Sequence, residues 1–159
     1  MTIAIVIYAF AMTLANLSIA AFGPWVSPIN AFVLIGLDLA LRDWLHTRLK
    51  SSQMIGLIAA SGCITYALNP AAGVIAVASA ISFTAAAIVD WSVFAKLTGS
   101  WIKRSNGSNV AGAAVDSLLF PTIAFGVLMP HIVALQFVAK VCGGFVWSAI
   151  LAKRISASS

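Results

Sequence analysis

Glutamate is absent from this 159-residue chain, and aspartate occurs only four times, at Asp38, Asp43, Asp90 and Asp116. Charged residues make up 8% of the sequence and hydrophobic ones 62%, against roughly 25% and 45–50% in soluble domains. That deficit excludes a soluble globular fold. Histidine and cysteine are also scarce, at two each. Neither His46 nor His131 has a second ligand at metal-binding spacing, so neither a metal nor a cofactor is expected. Cys63 and Cys142 both lie in apolar stretches and read as buried free thiols. The chain lacks a Gly-rich phosphate loop and a nucleophile motif, which argues against an enzyme.

What the chain does have is long apolar runs, at about 3–22, 29–46, 54–68, 71–95, 109–128 and 131–151. Six short spans use nearly the whole length, so residues 1–159 are expected to form a single transmembrane domain. The first run lacks a basic leader and reads as a retained span. The connections alternate in character. Gly23-Pro24 with Pro28, Asn69-Pro70 and Met129-Pro130 are uncharged turns, whereas Arg48/Lys50, Lys96/Lys103/Arg104 and Lys153/Arg154 are basic. The expected fold is therefore an all-α, polytopic six-transmembrane-helix bundle with both termini cytoplasmic. The net charge of +5 is a topology signal rather than a sign of nucleic-acid binding. Ala72, Ala76, Ala80 and Thr84, and likewise Ala11 and Ala15, recur at small-residue packing spacing. Asn106-Gly107 reads as a turn, after which Ser108 or Asn109 would cap the fifth helix.

The carboxylates sit in or at the ends of the apolar runs, where an ionisable group costs roughly 2.5 kcal/mol or more and is rarely kept without a partner or a task. Asp38 and Arg42 are four apart and predict an ion pair on one helix face. Asp43, beside Trp44 and His46, reads as interfacial. Asp116 and Lys140 come from antiparallel neighbours and fall within about 6 Å in depth. Asp38, Arg42, Asp90, Asp116 and Lys140 thus come from four spans, and a single polar cavity is the economical arrangement. Such a cavity suits a planar nitrogenous ligand that gives N–H bonds to carboxylates and stacks on Trp91 or Phe94. Asn109 and Ser117, and on the first span Asn16 and Ser18, are further polar candidates.

Leu41-Arg42-Asp43, Val89-Asp90-Trp-Ser-Val-Phe94 and, above all, Arg104-Ser-Asn-Gly-Ser-Asn-Val110 leading to Val115-Asp116-Ser-Leu-Leu-Phe120 resemble the queuosine-precursor transporter family, also called the vitamin uptake transporter family. The resemblance runs over about residues 30–150. It implies six spans with cytoplasmic termini, and uptake across the cell membrane of a 7-deazaguanine base such as 7-cyano-7-deazaguanine. It further implies substrate contacts from Arg42, Asp90, Arg104, Ser108, Asn109, Asp116 and Ser117. The partners expected are a purine-like small molecule and the lipid bilayer; a homo-oligomer is compatible with the sequence. Two other readings stand beside this one. In the first, the chain is a substrate-binding membrane subunit of an ATPase-driven uptake system, with the Ala11/Ala15 face docking the coupling partner. In the second, it is a non-transporting structural protein whose buried pairs only hold helices together.

Overall fold

A computed structural model of the chain describes residues 2–46 and 48–156. Helix α1 is Thr2–Phe22. The second span opens with a 3₁₀ turn, Pro24–Val26, and continues as α2 (Ser27–Asn30), a π-helical turn (Ala31–Ile35) and α3 (Gly36–His46). The remaining helices are α4 (Ser51–Leu68), α5 (Gly73–Lys96), α6 (Trp101–Phe125) and α7 (Pro130–Ser156). Among the described residues, five segments are long and apolar enough to cross a membrane, and α4 is a shorter apolar helix beside them. At 18 residues, α4 rises about 27 Å, close to the hydrocarbon thickness of ~30 Å.

The bundle is apolar outside and polar within. Phe10, Ile29, Tyr66, Val77 and Val138 face outward, while all four aspartates, Arg42 and Lys140 are buried. Each helix selects its inner face by residue spacing. On α4 that face is Met54, Ile58, Ser61 and Thr65; on α1 it is Tyr8, Met12, Ala15, Asn16 and Ile19. Cys63 and Cys142 are unpaired but exposed, contrary to the expected burial. Cys63 lies two residues from both Ser61 and Thr65, which puts it on the opposite side of α4, toward lipid.

The fifth span starts earlier than its sequence suggests. Ser100 caps α6, its hydroxyl accepting from the Lys103 N–H at 3.4 Å, and Asn106-Gly107 continues the helix instead of turning. A Cβ on Gly107 would lie 2.6 Å from Leu97 Cδ1; the glycine makes room for the preceding connection. The helix ends at Gly126, whose φ of 69° is left-handed, the usual helix stop.

The closest backbone approach is between the second span and α7. A Cβ on Gly36 would fall 2.7 Å from the Gly143 carbonyl carbon, and one on Gly143 would overlap the Phe32 carbonyl. The π turn lies at this crossing, where the Trp147 indole N–H donates to the Val33 carbonyl at 3.1 Å. Elsewhere α5 packs along α6, and α1 along α4 and α3. Ala72, just before α5, and Ala76 on it are buried, whereas Ala80 and Thr84 sit partly buried at the edge facing α4.

Gly143→Ala is expected to cost about 1–3 kcal/mol by overpacking, seen as a lower melting temperature and yield of detergent-purified protein. Gly62→Ala, whose Cβ would meet nothing within 4 Å, should change neither. Equal stability of the two variants would contradict the close crossing.

Candidate functional site

A polar seam runs along the bundle axis, and α7 measures it. From Gln136 to Ser148, both buried, twelve residues rise about 18 Å. At the end of the bundle with the proline turns, the Lys140 ammonium lies 2.8 Å from Asp116 Oδ2 and donates to Gln136 Oε1 at 2.8 Å and Ser117 Oγ at 3.2 Å. Its three protons are thus used. Gln136 and Lys140 are four apart and share the inner face of α7; the Gln136 amide in turn donates to Ser27 Oγ at 2.5 Å. Ser79 donates to Asn16, which donates to Thr65 at 3.3 Å, while Asn30 donates to Ser18 at 2.6 Å.

Asn16, Ser27, Asn30, Ser79, Gln136 and Lys140 line a cavity of about 20 Å³ whose apolar walls include Phe83 and Phe120. That is room for about one water, against roughly 300–1,000 Å³ in a small-molecule pocket. One polar atom on it is left over. Asp116 lines the cavity, and its Oδ1 is buried without a hydrogen-bond partner among the described residues. Helix α6 is also weakened here. Pro121 lies inside it, and a proline nitrogen cannot donate to the carbonyl four residues earlier, which is that of Ser117.

Toward the basic end lies a second cluster. Arg42 Nε is 3.8 Å from Asp90 Oδ2, with both side chains fully buried. Asp43 neighbours Asp90 and accepts a hydrogen bond from Ser105. Ser105 is also 3.3 Å from Ser148 and accepts from Asn109 at 3.4 Å. Gly112 permits this packing, because a Cβ there would meet Asp90 Cβ at 3.1 Å and Arg42 Nη2 at 3.4 Å. Asp38 sits beside Tyr8 within electrostatic reach of both Arg42 and Asp116. It links the two clusters, with the Tyr8 hydroxyl as its hydrogen-bonding neighbour.

Several expectations are therefore rearranged. Arg42 pairs at close range with Asp90, not with its helix neighbour Asp38, because the guanidinium reaches across to α5. Asp43 is only 2% exposed and belongs to the interior cluster, because Ser105 on α6 covers it. Asp116, Ser117 and Lys140 come together as their depths suggested. Asn109 joins the second cluster. Ser108 is buried but donates to the Ser105 carbonyl of its own helix at 3.1 Å.

Arg104 stands apart from the seam. Its Nε and Nη2 donate to the Phe94 carbonyl at 3.2 and 3.1 Å, and its guanidinium covers the Phe94 ring at 4.0 Å. That is favourable for a cation at a helix C-terminus, and it occupies one of the two proposed stacking rings. Trp91 is 52% exposed and points outward. The side chain of His46 lies outside the described residues, and His131 stacks near Trp25 at 5.9 Å.

Ser105 and Phe120 entered the sequence reading only within the family motif, and Tyr8, Ser27, Asn30, Ser79, Phe83 and Gln136 were not singled out at all. Two of them had a readable signal. Gln136 lies one turn from Lys140, and Ser79 falls on the inner stripe Ile75, Ser79, Ser82, Phe83, Ala86 and Asp90.

Residues 2–152 match the family described as "Putative vitamin uptake transporter". No curated protein and no solved structure matches the chain. A transporter family matched over almost the full length agrees with apolar helices closed around a polar interior, and it places the chain outside enzymes. This multi-pass membrane protein belongs to the vitamin uptake transporter family.

Proposed function

We propose that the chain imports a 7-deazaguanine base, of the 7-cyano-7-deazaguanine type, across the cytoplasmic membrane, with its basic loops and both termini in the cytoplasm. The observation that carries this reading is the free Oδ1 of Asp116 on a cavity flanked by Phe83 and Phe120. Lys140 holds Oδ2 and so fixes the carboxylate with one acceptor directed to a ligand. The base presents adjacent N–H donors on one edge and a flat face on each side. The edge suits Asp116, the faces suit the phenyl rings, and the ring carbonyl suits the second N–H of the Gln136 amide, whose first goes to Ser27. Asp38, within electrostatic reach of Asp116, comes next along the seam, with Arg42, Asp90 and Asn109 beyond it toward the basic end.

The narrow cavity corresponds to a closed state, so loading requires helices to part. Two backbone irregularities sit where that movement is needed: the π turn following Asn30, and Pro121 one turn after Ser117. π turns and prolines are frequent points of bending. The ATPase-coupled alternative loses its docking face, since Ala11 and Ala15 are each 2% exposed and pack inside the bundle.

Cells unable to make the precursor but supplied with 7-cyano-7-deazaguanine should regain queuosine in tRNA when this chain alone is expressed. Normal expression without recovery would reject the reading. Asp116→Asn alone is a poor probe, because it strands a buried ammonium at a cost of about 3–5 kcal/mol. The charge-neutral pair Asp116→Asn with Lys140→Gln should keep near-normal protein levels and reduce uptake at least tenfold, as a lost charged hydrogen bond of about 1.5–3 kcal/mol implies. Retained uptake in that pair would remove Asp116 from the site.

Phe83→Ala should raise the half-saturating substrate concentration roughly five- to a hundredfold, matching about 1–3 kcal/mol for base stacking. Trp91→Ala should leave it unchanged. The reverse ranking in concentration-dependent uptake would return the stacking role to Trp91.

A further inference from the structure

Among the described residues, four carboxyls are buried in the bundle against one guanidinium and one ammonium. At the basic end, the crowding is greatest where Asp43 and Asp90 adjoin. Asp43 receives the Ser105 hydroxyl. Neither Asp90 oxygen has a hydrogen-bond donor among the described residues, and Arg42 Nε stands 3.8 Å away. Nearby, the buried Tyr8 hydroxyl is turned to Asp38 and not to this pair. Two adjoining carboxylates in a low-dielectric interior repel unless a proton or a cation lies between them. A metal would need more oxygen ligands than this cluster brings together; a proton needs only the two carboxyls.

We propose that the Asp43–Asp90 pair is a proton site, with one carboxylic O–H donating to the other carboxylate, and that this proton is the coupling ion of import. The second half rests on the transport reading above. In the coupled cycle, the proton enters with substrate from the cavity side and binds a carboxylate of the pair. It then leaves from Asp43, in the last turn of α3, toward the basic end. No bond other than O–H is made or broken, and charge balances at each step.

The groups facing the pair come from several helices. Helix α3 itself supplies Asp38 and Arg42, and α1 supplies Tyr8. Helix α6 brings Ser105, with Asp116 further along the seam, and α7 brings Ser148 and, further off, Lys140. The α4 side presents the apolar Met54 and Ile58. Arg42 is thus the one cation at close range among the described residues, and it cannot neutralise both carboxylates together with Asp38.

Two measurements test the proposal. Infrared spectra of the purified protein at neutral pH should contain the C=O stretch of a protonated carboxyl, lost in Asp43→Asn and in Asp90→Asn and shifted in Ser105→Ala. Absence of that band from the native protein overturns the proton site whatever the substrate. In proteoliposomes, radiolabelled 7-cyano-7-deazaguanine should exchange across the membrane. It should also accumulate up to about tenfold per pH unit with the outside acidic, the limit for one proton, and a protonophore should abolish this. Asp43→Asn should keep exchange and lose accumulation. Exchange without acid-driven accumulation in the native protein overturns coupling but leaves the transport reading intact. No exchange at all overturns the substrate reading, and the infrared result still decides the site.

Discussion

Placing Arg42 and Lys140 inside the bundle organises almost everything else in it. Each is a long cation with nearly no exposed surface, and each would be costly at bilayer depth unless carboxylates surround it. Lys140 lies within 2.8 Å of Asp116 across the α6–α7 contact, and Arg42 reaches Asp90 across from α3 to α5. These two pairs set the rotation of four helices about their own axes. A turn of α7 away from its present face would carry Lys140 into lipid while leaving Asp116, Gln136 and Ser117 short of a partner. The remaining helices complete the enclosure by hydrogen bonds, as Asn16 of α1 does with Thr65 and Ser79.

Close packing without a hydrophobic drive between helices depends on small side chains, and the chain uses them where backbones must touch. Gly36 and Gly143 let the second span lie against α7, and Gly112 lets Arg42 and Asp90 lie against α6. The same regions contain the π turn and Pro121. Tight contact and weakened helix therefore occur together along the seam.

The seam is uneven along its length. Near the proline turns the Lys140 ammonium and its neighbours are hydrogen-bonded, and one carboxylate oxygen of Asp116 is left free. Near the basic loops it holds two carboxyls, Asp43 and Asp90, beside one guanidinium. Asp38 lies between, in electrostatic contact with both. A ligand that engages Asp116 alters the field at Asp38 and, through it, at Arg42 and its acidic neighbours. Such an arrangement suits a carrier in which substrate at one end and charge at the other move in step.

Membrane class, the alternation of connections and most helix bounds follow from composition and from the order of apolar runs, because the bilayer demands long apolar stretches and self-satisfied backbones. Depth was legible too, since residues rise regularly along a helix; that is why Asp116 and Lys140 were matched correctly. Direction across the bundle was not. Asp38 and Arg42 share a helix face, yet Arg42 pairs with Asp90, because the partner of a long side chain depends on which helix packs opposite. Asp43 looked interfacial until Ser105 covered it. Gly107 resembled a turn until Leu97 filled its space, and Trp91 resembled a stacking ring until its helix turned it outward, leaving Phe83 and Phe120 at the cavity. The sequence alone determined which polar groups must avoid lipid and at what depth. Only the tertiary structure decided which of them meet, because the rotation and neighbour of each helix arise from packing among helices distant in sequence.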